Sequence, residues 1–460
     1  MHSENELFEK RSVLGAIMSL ALPSVVGQII LVIYNMADTL FVGMTGSDAM
    51  ITAVTVCMPA FMFLSAISNL FGVGAASVIA RAFGKNDGMR VRNTAAFAVW
   101  SCMIVTVLYC GGVWLMMDRF VDLLGGSDAA VHADAVKYMR IVVVYGGLAA
   151  SMSTLLSHII RSGGQSVRAS IGVALGGVLN IALDPLFMFV ILPRGNEAVG
   201  AAIATALSNV AALLYYIISL LFDGDRHFIS VKPSRAMFRE HIPRDVLLVG
   251  IPACLMTLCE NISYAVLDNL MAVYGTAAQA GIGVAKKINM MAHCIVRGMA
   301  QGVLPLIGYN YASGNRTRMK KVIGASVCIS VGISLACMGA YLLFAKPLVT
   351  LFIRTEADSL RCGAEFLRIL CVGAPFSAFA YTVISFFQAT GRGGKSLILA
   401  LMRKGLVDIP LMLILGGVLP IYGIVLATPL ADAICCATAA VLFAVFLKRH
   451  GKDKAPRLTV

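Results

Sequence analysis

From residue 13 to residue 447 the chain is an almost unbroken succession of apolar runs, each about 20 to 30 residues long. A run of that length matches the hydrocarbon core of a bilayer. In lipid only an α-helix satisfies every backbone polar group within such a run. A membrane β-barrel requires alternating segments of about 10 residues, and these are absent. The charged fraction is only 13%, about half that of a soluble domain. The fold class is therefore an all-α polytopic membrane protein. Its partner is the lipid bilayer.

Twelve spans are expected, near 13–43, 50–80, 92–117, 136–160, 167–192, 199–222, 246–274, 277–311, 319–344, 363–388, 396–419 and 421–447. The longest polar connection, 223–245, divides an N-terminal six-helix lobe (1–222) from a C-terminal one (246–447), followed by a tail (448–460). The N-terminus, MHSENELFEKRS, shows no cleavable signal. The twelve cysteines form no CxxC pair and read as small buried hydrophobes.

Basic residues orient the spans. They gather at Lys10 and Arg11, at Arg81, Lys85, Arg90 and Arg92, and at Arg161 and Arg168. They recur in the central linker from Arg226 to Arg244, at Arg316 to Lys321, at Arg392 and Lys395, and in the tail from Lys448 to Arg457. The opposite loops hold only Arg119, Arg194, Lys346, Arg354 and Arg361. Both termini and the even-numbered loops are thus expected in the cytoplasm, with the protein multi-pass in the plasma (inner) membrane. The net charge of +13 is a basic rim facing anionic lipid and calls for no nucleic acid.

The halves repeat each other. GAASVIARAFGKND at Gly74 corresponds to GVLPLIGYNYASGN at Gly302, and RSGGQS at Arg161 to ATGRGG at Ala389. At the same offset Asn180 falls on Asp408. Pro23 pairs with Pro252, and Gly200 with Gly423. Six spans per half make the repeat parallel, a layout that places substrate at the interface of the halves.

Together, LPSVVGQIILVIYNMADTLFVG, GVGAASVIARAFGKND, ALDPLFMFVI with GAAIAT, and QGVLPLIGYNYASGN resemble the multidrug and toxic compound extrusion (MATE) family of secondary transporters along essentially the whole chain. The resemblance implies a monomer of two lobes in a V. It implies export of amphipathic, often cationic compounds, driven by a Na⁺ or H⁺ gradient and requiring no other cofactor. It also implies an N-lobe cation-coupling set, here Asp38, Asn180, Asp184 and Thr205. The residues support the same set independently. A carboxylate at bilayer depth is costly unless neutralised, paired or wet. Asn180 and Asp184 share a helix face at i, i+4, and Ala201 and Thr205 repeat that spacing. Carboxylate, amide, hydroxyl and a backbone carbonyl suit Na⁺. A buried carboxylate pair would equally hold a proton. Plainer readings are interhelical hydrogen bonds for Asn180 and Thr205, and a kink at Pro185 for Asp184.

Cleft candidates are Asn35, Met36, Met62, Met256, Glu260, Met290 and Arg297. The methionines among them suit promiscuous surfaces. The C-lobe carries Lys286, Lys287, Arg297, Arg403 and Lys404 within its spans. The simplest reading pairs them with Glu260, Asp268, Asp408 and Asp432; a sharper one makes a cavity that tolerates anionic or zwitterionic substrates. Some family members have an acidic residue on helix 10, but SAFAYTVISFFQ (377–388) has none, which speaks against a C-lobe cation site. His158 and His293 are expected as hydrogen-bonded packing residues. The competing classes are a lipid-linked precursor flippase, which usually adds further helices, and a membrane enzyme. For the latter the chain offers no HExxH, no DDxxD and no phosphate-binding glycine loop.

Overall fold

The structure, a computed structural model, describes residues 2–126, 128–222, 232–353 and 356–451. The linker segment 223–231 with Arg226, as well as Arg354 and the tail from Lys452, lies outside the described residues. Within them the expected helices form: α1 (Val13–Met44), α2 (Asp48–Gly84), α3 (Gly88–Leu115), α4 (Ala129–Met139 continued by Gly147–Ser162), α5 (Ser166–Pro185), α6 (Glu197–Phe222), α7 (Ile242–Ala272), α8 (Thr276–Ala312), α9 (Arg316–Thr350), α10 (Ala357–Cys371 with Ala374–Ala389), α11 (Gly393–Leu401 with Asp408–Val418) and α12 (Tyr422–Gly451). The caps explain several starts. Ser12, Ser47, Asp87 and Asn315 each accept a backbone N–H of the first turn through their side chains. Pro23 and Pro252 sit inside α1 and α7 without ending them.

Several spans are interrupted, among them α9, which kinks at Phe344 (φ −109°, ψ 19°). α4 bends by 45° after a π-turn at Arg140–Tyr145, and α10 by 45° near Gly373. α11 contains a π-turn, Met402–Leu406, which turns Arg403 and Lys404 into the lobe. α5 likewise runs on into a π-helix at Leu186–Ile191 just past Asp184. Such bulges in transmembrane helices commonly sit at functional positions.

The halves meet along two seams, α2 against α7 and α1 against α8. At Gly250 a Cβ would run into the carbonyl of Leu70, so only glycine lets these helices approach so closely. The cross-half hydrogen bonds run from mid-depth to the basic end: Asn69 to Thr257 (2.9 Å), Gln28 to Gln301 (3.4 Å), Ser77 to the Gln388 carbonyl, and Arg90 to Asp245 (2.6 Å). The N-terminal segment ties into this end. Phe8 stacks on Tyr309 (4.8 Å), whose hydroxyl donates to Glu9 (2.7 Å). The halves are thus sealed at the basic end. Gly250→Val wedges that seal. A cysteine replacing Ala21, fully buried here, should then become open to a maleimide. A cysteine there that stays closed in Gly250→Val would show that this close approach does not hold the seal.

Candidate functional site

The N-lobe set assembles where α1, α5 and α6 meet. α5 approaches α1 because Gly177 lies directly on Ile30; a Cβ there would come within 2.9 Å of the Ile30 side chain. One turn on, Asn180 is 2% exposed, and Asp184 is fully buried. The Asn180 amide donates to Asp184 Oδ1 and to Thr205 Oγ1, each at 3.3 Å. Asp38 is 8% exposed and lies within electrostatic reach of Asp184. Asp38 Oδ1, Asn180 Oδ1 and Asp184 Oδ2 are all buried without a hydrogen-bond donor. An orphaned acceptor costs about 1–3 kcal/mol, and none of these three oxygens finds a donor among the described residues. Ala201 packs fully buried in the apolar cluster with Met188 and Ala202.

Two tyrosines were missed. Tyr34 and Tyr138 both feel the charges of Asp38 and Asp184. Tyr34 stands one turn before Asp38, a spacing visible in the sequence. Tyr138 arrives on α4, and no local pattern announces it.

The C-lobe bases are paired. Arg297 donates to Glu260 (2.7 Å), Arg403 to Asp432 (3.0 Å), Lys404 to Asp408 (3.0 Å), and Lys286 to Asp268. Aromatic faces add to this: Arg403 lies 4.1 Å from the ring centre of Tyr381, and Lys404 5.2 Å from that of Tyr264. Lys287 is the exception. Among the described residues it forms no ion pair, and its field reaches Asp38 across the α1–α8 seam as well as Asp268. Neighbours on a helix point about 100° apart, so Lys286 turns to α7 while Lys287 turns towards α1.

The repeat places these two arrangements in register. The offset that pairs Gly200 with Gly423 pairs Thr205 with Thr428. As Asn180 bonds Thr205, so Thr428 donates to Asp408 Oδ1 (3.1 Å). In the C-lobe, however, Ser263 and the Lys404 ammonium fill the other Asp408 oxygen. The N-lobe oxygens lack such a built-in cation.

Between the lobes, beyond the seal, lies a cavity of about 100 Å³ that opens to solvent. Met256, Glu260 and Arg297 line it; Asn35, Met36, Met62 and Met290 do not. Asn35 instead donates to the Leu31 carbonyl of its own helix (2.8 Å), and Met290 is 39% exposed. His158 also lines the cavity, with Nε2 3.2 Å from Asn69 Oδ1; His293 makes the same kind of contact with Asn289 (3.2 Å). Arg161 corrects the sequence reading. It is no rim charge: α4 continues through it and turns it into the cavity wall, 4% exposed.

The MatE family model matches the chain twice, at 23–186 and 252–414, together well over half its length, and the two matches begin at Pro23 and Pro252. "Multidrug export protein MepA" of Staphylococcus saprophyticus is 28% identical over 98% of both chains. MepA of Staphylococcus aureus strain MRSA252 is 30% identical over 96% of this chain and 95% of its own. Among solved structures, a multidrug resistance MATE family transporter in the outward-facing conformation superposes with a TM-score of 0.90 at 25% identity, covering 97% of this chain and 98% of its own. A MATE protein in complex with MaL6 gives 0.89 at 26%, covering 97% and 99%. With two family matches and the twelve-helix, two-lobe arrangement in agreement, this multi-pass membrane protein belongs to the MatE family.

Proposed function

We propose that this chain exports amphipathic small molecules, exchanging them for a cation by alternating access between its two lobes. The observation that carries the reading is the cluster of three donor-less buried oxygens on Asp38, Asn180 and Asp184. An inward-moving cation satisfies them, and its departure leaves a charge that biases the lobes. Na⁺ is favoured over H⁺ because the orphaned Asn180 carbonyl is a neutral ligand that a proton on a carboxylate does not need. Lys287, facing Asp38 from the other half, supplies a competing positive charge when the site is empty. The seal at the basic end corresponds to an outward-facing state, with that end in the cytoplasm. The flippase alternative needs a cluster of free intramembrane bases for a pyrophosphate, whereas Arg297, Arg403 and Lys404 are each held by a carboxylate, and of the two bases without an ion pair only Arg161 lines the cavity.

The test is dye efflux from vesicles under a sodium or a proton gradient imposed separately. Sodium should drive it, and Asn180→Ala and Thr205→Ala should each raise the sodium needed for half-maximal rate about tenfold, with little change in pH dependence. Full efflux on a pH gradient in sodium-free buffer, unaffected by either substitution, would leave Asp38 and Asp184 as proton carriers. Reporters at Ser127, Asp223 and Lys452, outside the described residues, should lie outside, inside and inside. A periplasmic Asp223 would remove the topology.

A further inference from the structure

We propose that the cavity recognises an anionic group on its substrate through Arg161, so that zwitterionic amphiphiles bind in preference to purely cationic ones. The inference rests on the export reading above and deepens it. The cavity wall carries three full charges, on Arg161, Glu260 and Arg297. Glu260 and Arg297 neutralise each other at 2.7 Å, with the Tyr381 hydroxyl closing the triangle. Arg161 is left over. Among the described residues no carboxylate pairs with it, and the ionisable groups within electrostatic reach are Tyr216 and His158.

Arg161 is only 4% exposed, yet among the described residues its guanidinium makes one hydrogen bond, from Nη1 to Gln301 Oε1 (3.3 Å), and its Nε is buried without an acceptor. A guanidinium presents five donors in a fixed fork and matches a carboxylate in two-point fashion. Gln301 is already shared, accepting from Gln28 as well. Asn69, His158 and Gln388 also line the cavity, and its one acid, Glu260, is held by Arg297, so an anion at Arg161 meets amide and imidazole groups. The cavity's net charge, one positive, is opposite to that of a pocket built for a cation. A charge-assisted hydrogen bond in such a site contributes about tenfold or more in affinity.

A matched pair of dyes tests this. Rhodamine 110 carries a free carboxylate beside its cationic ring system, and rhodamine 123 is its methyl ester, hence a plain cation of nearly equal size. Binding is measured by fluorescence anisotropy on purified protein in detergent, with no gradient. Wild type should bind rhodamine 110 about tenfold more tightly than the ester. Arg161→Gln should abolish that ratio while changing ester affinity less than twofold, and Arg161→Lys should keep part of it. Equal or weaker binding of the carboxylate form by wild type overturns the proposal, even if the variants do not fold. Equal loss of both dyes in Arg161→Gln also overturns it and makes Arg161 a latch through Gln301 between the halves. Export under either gradient is scored separately. A protein that shows the binding ratio but moves no dye retains the anion subsite and loses the export reading; one that exports the ester and binds both dyes alike does the reverse.

Discussion

Asp38→Asn should reduce gradient-driven efflux to the level of protein-free vesicles while leaving the purified protein at least as heat-stable as wild type in sodium-free buffer. The substitution keeps shape and volume but fixes the group as neutral. Asp184 is then left as the one carboxylate in a set that holds two, too little charge to hold and release the cation. Stability should not suffer, because Asp38 Oδ1 has no donor and an unpaired buried carboxylate is itself a cost. Sodium should separate the two proteins. A ligand at 100 times its Kd stabilises the state that binds it by about 2.7 kcal/mol, so wild type should gain melting temperature on sodium titration and Asp38→Asn should not. Wild-type efflux by this variant would make Asp38 a structural residue.

The second large effect lies in the C-lobe. Lys404→Met should destabilise by about 3–5 kcal/mol, because it leaves the Asp408 carboxylate fully buried and uncompensated. Lys404→Met with Asp408→Asn should recover most of that loss, since the amide can still engage Ser263 and Thr428, which now sit at 2.6 and 3.1 Å from the carboxylate. Melting temperatures of the two singles and the double decide the matter. Additive losses would show that the contact at 3.0 Å contributes little beyond each residue's own packing.

The twelve spans were legible because a bilayer imposes one length and one polarity on every crossing. The acid–base pairs of the C-lobe were legible for a related reason: charges buried in one lobe have few choices of partner. Spacing along one helix also gave Asn180 and Asp184. Arg161 and Lys287 were not legible, because hydropathy counts a charge without saying which face of the helix carries it. The rim and the cavity wall differ at Arg161 by a rotation of that face. Tyr138 reaches the coupling set only through tertiary packing. Met62 and Met290 sit on helices that line the cavity through other residues, and α1, which carries Met36, does not line it.

On the proposed reading, the Lys404 ammonium bound to Asp408 sets a limit on energy conversion. A duplicated carrier with two exchangeable sites would use two ions per turnover. Here one of the two equivalent positions holds a counter-ion that never leaves the chain, so on the proposed reading each turnover runs on a single monovalent ion. The membrane potential then supplies about 2.3 kcal/mol per 100 mV. That caps the potential-driven accumulation of a zwitterion at roughly 50-fold per 100 mV. The tethered lysine would thus fix the gearing of the pump: a low ceiling, reached at the smallest ion cost per molecule expelled.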